Sequence, residues 1–183
     1  MHTEIAVRFG LSEEAPHLKQ ALTHPSFANE QRGEADNQRL EFLGDAVLGL
    51  CASELLYERF PDADEGSLTR LRARLVNAEA LANWARDNDV AEALLLGRGA
   101  ESSGLRGSTN VLADAVEALV AATYLDAGLG AARKACEGIL VPQLEQMDAG
   151  ETRDPKSELQ ERVQAVRSDT PRYDVVDSGG PAH

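Results

Sequence analysis

Residues 37–50 read NQRLEFLGDAVLGL, and the reading of this stretch decides the fold. It is apolar enough for a core helix, with Leu40, Leu43 and Val47 on one side and Phe42, Ala46 and Gly49 on another. A helix that is apolar on every side is expected to be buried on every side. Yet Glu41 and Asp45 stand four residues apart, on one helical face, and no Lys or Arg occupies the neighbouring positions three or four residues away. An exposed like-charge pair costs roughly a few tenths of a kcal/mol, and desolvation costs far more.

The same arrangement recurs in LADAVEALV, residues 112–120, where Asp114 and Glu117 share a face amid Leu112, Val116 and Leu119, again with no local cation. Two acidic pairs expected in a core leave three remedies: distant arginines such as Arg70, Arg72 and Arg74 reach in, the acids are protonated, or a metal sits between them. Oxygen-only donors with neither His nor Cys beside them suit a hard ion, Mg²⁺ or Mn²⁺, rather than zinc or iron. The associated chemistry is phosphoryl transfer or phosphodiester hydrolysis.

Composition agrees with a helical protein. The chain has 183 residues, 43% of them hydrophobic but only 4% aromatic, enough for one sizeable core and better suited to helices than to a sandwich or barrel. No apolar run approaches the roughly 20 residues of a membrane span, and MHTEIAVRFG lacks the order of a secretory signal, so no membrane partner and a cytoplasmic location are expected. Cys51 and Cys136 sit singly in apolar helical patterns without zinc spacing and read as small buried hydrophobes. With 31 acids against 18 bases and a net charge of −13, the chain as a whole repels phosphate, so any nucleic-acid contact must rest on a local site. A divalent ion is one way to reverse the local sign.

Around the central stretch, the pattern predicts a short helix opened by Ser12 and ended before Pro25, then a loop, HPSFANEQRGEAD. A long helix from about Asn37 to Phe60 is stopped by Pro61. A second runs from about Glu65 through Trp84 with Leu68, Leu71, Leu75 and Val76 as its stripe. GRGAESSGLRGSTN reads as a loop, NVLADAVEALVAATYLDAG as a helix closed by Gly128, and ARKACEGILVPQLEQM as a last helix bent by Gly138 and Pro142. DAGETRDP reads as a linker.

NQRLEFLGDAVL resembles the signature of the ribonuclease III family. ALTHPSFANE resembles that family's Leu-Thr-His-x-Ser segment, DEGSLTRLRARLVN its Glu-Gly-x-Leu-x-x-x-Arg-x-x-Leu-Val segment, and LADAVEALVAATYLD the helix of its second acidic pair. The order and spacing fit over about residues 5–148. The resemblance implies an all-α endonuclease domain, residues 1–148, that cleaves double-stranded RNA as a homodimer and processes ribosomal and other precursors. Matched by position, Glu41, Asp45, Asp114 and Glu117 would bind Mg²⁺, with Mn²⁺ able to substitute, and Asp45 and Glu117 would be the most sensitive catalytically. Products would carry 5′-phosphate and 3′-hydroxyl ends. Gln38 stands where the family often has Glu, and with Glu65 would lie at the edge of the acidic cluster. Phe42 resembles the aromatic that enters the partner subunit, whereas His24 reads as structural. The competing reading is a non-catalytic double-stranded RNA-binding scaffold of the same fold, which the intact acids oppose.

After a linker at 149–154, residues 155–183 resemble the front part of an α/β double-stranded RNA-binding domain, from DPKSELQERV through TPRYDVVDSGGPAH. Such domains read A-form shape across the minor groove. The resemblance makes His183 an RNA-contacting position, and the expectation is that this incomplete piece packs poorly and binds RNA weakly.

Overall fold

The computed structural model describes residues 2–31 and 33–150, the side chains at 2 and 148–150 excepted. The expected RNA-binding piece, His183 included, lies outside the described residues. Contacts separate Met1–Glu145 from Gln146–His183, and the fold described below is that of the first unit.

Ten α-helices and one 3₁₀ turn make up the regular structure of the described residues. The all-α expectation holds; the sheet-like pairing among them is an isolated parallel bridge between Thr23 and Leu95. The long helix is α4, Gln38–Arg59, and Phe60 caps it by donating to the Leu56 carbonyl at 3.0 Å just ahead of Pro61. α9, Thr109–Ala127, ends as expected at Gly128, whose φ of 83° is the left-handed conformation that costs glycine least.

α9 is the axis of this first unit. Val111–Ala113, Ala115, Val116 and Ala118–Thr123 are all buried, so small alanines let neighbours approach on every side. α4 packs along it, as does α6, Ala78–Asp87, through Leu81, Ala82 and Ala85. Leu48, Leu56, Leu112, Leu119, Ile139 and Leu140 are fully buried in the resulting core. Among the described residues no helix is long and apolar enough to cross a membrane.

α4 departs from the expectation of all-round burial. Leu40, Gly44, Val47, Leu48, Cys51, Ala52 and Leu56 face the core, but Phe42, Ala46, Leu50 and Tyr57 form an exposed apolar row. The sequence pattern could not distinguish a face covered by the chain's own core from an apolar face left open.

Other differences are local. The expected helix from Ser12 shrinks to α2, Leu18–Ala21, because residues 13–17 turn instead. Pro25, read as a breaker, is the first residue of α3, Pro25–Glu30, a position where its missing N–H is harmless. The helix expected through Trp84 is interrupted: α5, Glu65–Leu75, stops, and Asn77 starts α6 by accepting the Ala80 N–H at 2.9 Å. The Gly/Ser loop contains α8, Arg98–Ser102, and the 3₁₀ turn Leu105–Gly107. The N-terminal α1, His2–Arg8, and the short α7, Val90–Ala93, had no expectation.

α10, Leu129–Gly150, runs through Pro142, so the backbone at 148–150, assigned to the linker, is helical. Pro142 has no N–H to offer the Gly138 carbonyl one turn earlier. The Trp84 indole N–H of α6 donates to that carbonyl at 3.2 Å instead. Trp84 is itself fixed edge-on against Phe9, with ring centroids 5.9 Å apart.

Candidate metal centre

α4 and α9 meet at a glycine. A Cβ on Gly44 would lie 1.8 Å from the Glu117 carbonyl oxygen, a distance no side chain tolerates, so only glycine permits this contact. Gly44 stands between Glu41 and Asp45 in sequence, and its contact is the backbone of Glu117. This tight contact between the two helices is therefore also where their acids converge. The sequence reading found the acids and missed this role of the glycine; the signal was a lone Gly in a helical pattern.

Carboxylate oxygens of Glu41, Asp114 and Glu117 lie within 4.8 Å of one another. All three residues are half-buried. Asp45 is outside this group and exposed, one turn along α4 from Glu41, although its charge still bears on Glu41 and Glu117. The expectation of two buried pairs is therefore corrected to three half-buried acids and one exposed acid. The reason is that the acids sit at the rim of the α4–α9 seam.

Electrostatics match that geometry. Burial, reinforced by the charges of Asp45, Asp114 and Glu41, pushes the Glu117 carboxyl up to about 7. Burial, then Asp114 and Asp45, raises Glu41, and burial raises Asp114. Every resolved influence on the three is in the same direction, and none comes from a cation. Arg70 donates to Ser67 at 2.9 Å and Arg72 to Ser53 at 3.1 Å, and no arginine is among the influences on these three carboxyls. Of the three remedies, proton sharing and a cation remain. Mutually repelling oxygen donors with no His or thiol in the group fit a hard divalent ion.

Of the other expected positions, Gln38 and Phe42 lie on α4 within one turn of Glu41, and Glu65 opens α5. Gln38 is exposed in the first turn of α4, its backbone N–H held by the Asp36 carboxylate at 3.2 Å. Glu65, also exposed, accepts from the Thr69 hydroxyl at 2.8 Å and is not part of the cluster. Phe42 is 82% exposed, so it is not an ordinary core residue of this chain.

His24 caps α3. Its Nδ1 accepts the Ser26 N–H at 3.1 Å, and the Ser26 hydroxyl accepts the Gly97 N–H at 2.9 Å. Burial holds the imidazole below its usual range, against the opposing pull of Asp36, as suits a neutral capping group. From the same segment the Thr23 carbonyl accepts the N–H of Asn37 at 2.9 Å, which seats the start of α4. A further contact, His17 to Asp126 through its backbone N–H at 3.0 Å and Nδ1 at 2.5 Å, joins positions too distant in sequence for any local signal.

A Ribonuclease-III-like family model matches residues 15–144. Ribonuclease 3 of Syntrophomonas wolfei is 44% identical, over 98% of this chain and 79% of that protein. Ribonuclease 3 of Azotobacter vinelandii is 49% identical, over 89% of this chain and 69% of its own. Among solved structures, the nuclease domain of ribonuclease III from Campylobacter jejuni is 32% identical with a TM-score of 0.71, over 78% of this chain and 97% of that one; its structure concerns flexibility in a region involved in dimer formation.

Proposed function

Because the chain belongs to the ribonuclease III family, we infer that it is an endonuclease that hydrolyses phosphodiester bonds of double-stranded RNA. The observation that carries the chemistry is the convergence of Glu41, Asp114 and Glu117 within 4.8 Å at a seam made possible by Gly44. Glu41, Asp45, Asp114 and Glu117 are the proposed holders of Mg²⁺, with Mn²⁺ able to substitute. When bound, the ion would polarise the scissile phosphate and lower the pKa of a water, giving 5′-phosphate and 3′-hydroxyl products.

The chain's own residues have distinct tasks in this reading. Glu117, whose carboxyl burial and its acidic neighbours push up to about 7, can hold or release a proton as charge at the site changes. Glu41 and Asp114 flank it and add the negative charge that makes cation binding favourable. Asp45 lies on the solvent side, where water and substrate arrive, and is proposed with Glu117 as catalytic. Gln38 and Glu65 are proposed at the edge of this acidic region rather than as principal ligands.

The exposed row of Phe42, Leu50 and Tyr57 supports a homodimer joined through α4. The relevant structure of the Campylobacter jejuni domain likewise concerns a dimer-forming region. Residues 155–183, with His183, are proposed to contact RNA beside the endonuclease domain at 1–148, joined by the linker at 149–154. A cytoplasmic site of action suits RNA-precursor processing.

A labelled RNA hairpin incubated with Mg²⁺, with Ca²⁺ in its place, and with Glu117→Gln tests the enzyme reading. Cleavage is expected with Mg²⁺ and should drop roughly a hundredfold or more in the variant, beyond the loss typical of removing a group behind a ligand. Unchanged cleavage by Glu117→Gln would sink this assignment of the site, while binding without cleavage by the wild type would favour the scaffold reading.

A further inference from the structure

A cavity of about 640 Å³ opens between α4 and α10, and none of the four acids lines it. Cys51 and Cys136 lie together at its wall. Both are free thiols, 5% and 1% exposed, and each is within hydrogen-bonding reach of the other. With 84 positions between them in the chain, no local sequence signal links the two.

The helices are clamped in register beside the thiols. Arg133 grips Glu54 with two hydrogen bonds of 2.8 Å, Nε to Oε2 and Nη2 to Oε1. Glu54 lies three residues after Cys51, and Arg133 three before Cys136. Those opposite offsets, with both cysteines on one cavity wall, put the ion pair one helical turn from the thiols on each helix. We propose that Cys51 and Cys136 form a redox-modifiable dithiol that a small neutral peroxide converts to an internal disulfide tying α4 to α10.

The two sulfurs are chemically unequal. Hydrogen bonding from Cys136 lowers the Cys51 thiol, assisted by Arg133 against burial and Glu54, whereas Cys136 is pushed strongly upward by the same hydrogen bond and by burial. Cys51 is therefore the first nucleophile. Its sulfur attacks a peroxide oxygen, the O–O bond breaks, and with hydrogen peroxide the products are a sulfenic acid and water. The Cys136 sulfur then attacks that of Cys51, the S–O bond breaks, and the departing hydroxide takes the Cys136 proton as a second water. The two thiols are oxidised by two electrons and the peroxide is reduced by two. Glu54, Glu58 and Glu137 on the cavity wall outnumber Arg133 and oppose entry of bulky anionic disulfides such as oxidised glutathione.

The 183-residue chain treated with hydrogen peroxide, capped with N-ethylmaleimide without unfolding it first, then denatured and mapped without reduction, tests the proposal. Expected are loss of two hydrogens, about 2 Da, a peptide pair linked through Cys51 and Cys136, and no new intermolecular species. Cys136→Ser should stall as a Cys51 sulfenic acid captured by dimedone; Cys51→Ser should leave Cys136 unoxidised. Oxidised glutathione in place of peroxide should leave both thiols free. The proposal is overturned if peroxide yields only chain-to-chain disulfides or leaves both thiols reduced, if Cys136 oxidises as readily as Cys51 in the single variants, or if glutathione adds to either sulfur. The wild-type map decides the linkage even if a variant fails to fold.

Discussion

α4 and α9 look alike in sequence and live in different surroundings. Each is rich in apolar residues on every side and carries two acids on one face. α9 is enclosed by the chain, with an almost unbroken buried run from Val111 to Thr123, whereas α4 leaves Phe42 82% and Tyr57 74% exposed. The difference teaches that all-round apolarity reports how much surface seeks cover, without saying whether the chain itself supplies that cover. Where the two helices touch, the enclosed one contributes Asp114 and Glu117 from among buried neighbours, and the half-open one contributes Glu41 within the cluster and Asp45 beside solvent.

The seam between them is the place to break this comparison. Gly44→Ala would drive a methyl group into the Glu117 backbone, and because backbone cannot rotate aside, we expect destabilisation of roughly 3 kcal/mol or more together with loss of cleavage. Denaturant unfolding beside a hairpin-cleavage assay checks both; a variant as stable as wild type would mean that the helices separate freely. The open face should respond differently. Phe42→Ala should weaken the proposed dimer by roughly 2 kcal/mol, about thirtyfold, as read by sedimentation at several concentrations. An unaltered dimer would move the interface away from this row.

Protonation separates the helices again. The raised Glu117 carboxyl, from 4.5 to about 7, makes the folded chain bind more protons than the unfolded chain between those values. Metal-free stability should therefore be higher below this window and fall as pH rises through it, with Glu41 and Asp114 contributing in the same direction. Thermal melts in chelator across pH 4.5–8 should show the decline; Glu117→Gln should flatten it, and Mg²⁺ at the alkaline end should restore the wild type preferentially. A rise in wild-type melting temperature across the window would contradict the site electrostatics. The smallest effect belongs to Gly49→Ala on α4. Nothing lies within 4 Å of its added methyl, so helix propensity alone predicts a gain of up to about 1 kcal/mol in denaturant unfolding of the monomer.

The legibility of the fold follows the range of the forces involved. α4 and α9 were readable because long periodic patterns end at Pro61 and Gly128, both local signals. The α5–α6 break was missed because the apolar stripe continues across it, although Asn77 is a strong cap once the turn is known. Proline interrupts a helix or begins one according to what precedes it, and at Pro25 it begins one because His24 supplies the cap. The acids of the candidate site were legible as cation-free pairs. Their convergence on Gly44, the separate position of Asp45 and the meeting of Cys51 with Cys136 were not, since each depends on how distant helices pack.

The Trp84 contact with α10 also supplies an optical consequence. The chain contains one tryptophan, and its indole N–H donates to the Gly138 carbonyl that Pro142 cannot reach. Fluorescence from that ring thus originates at a single helix junction, without an attached dye. Emission shifting to the red on heating would report solvent reaching this seat, and comparison with the helical signal in circular dichroism would distinguish undocking of α10 from loss of its coil.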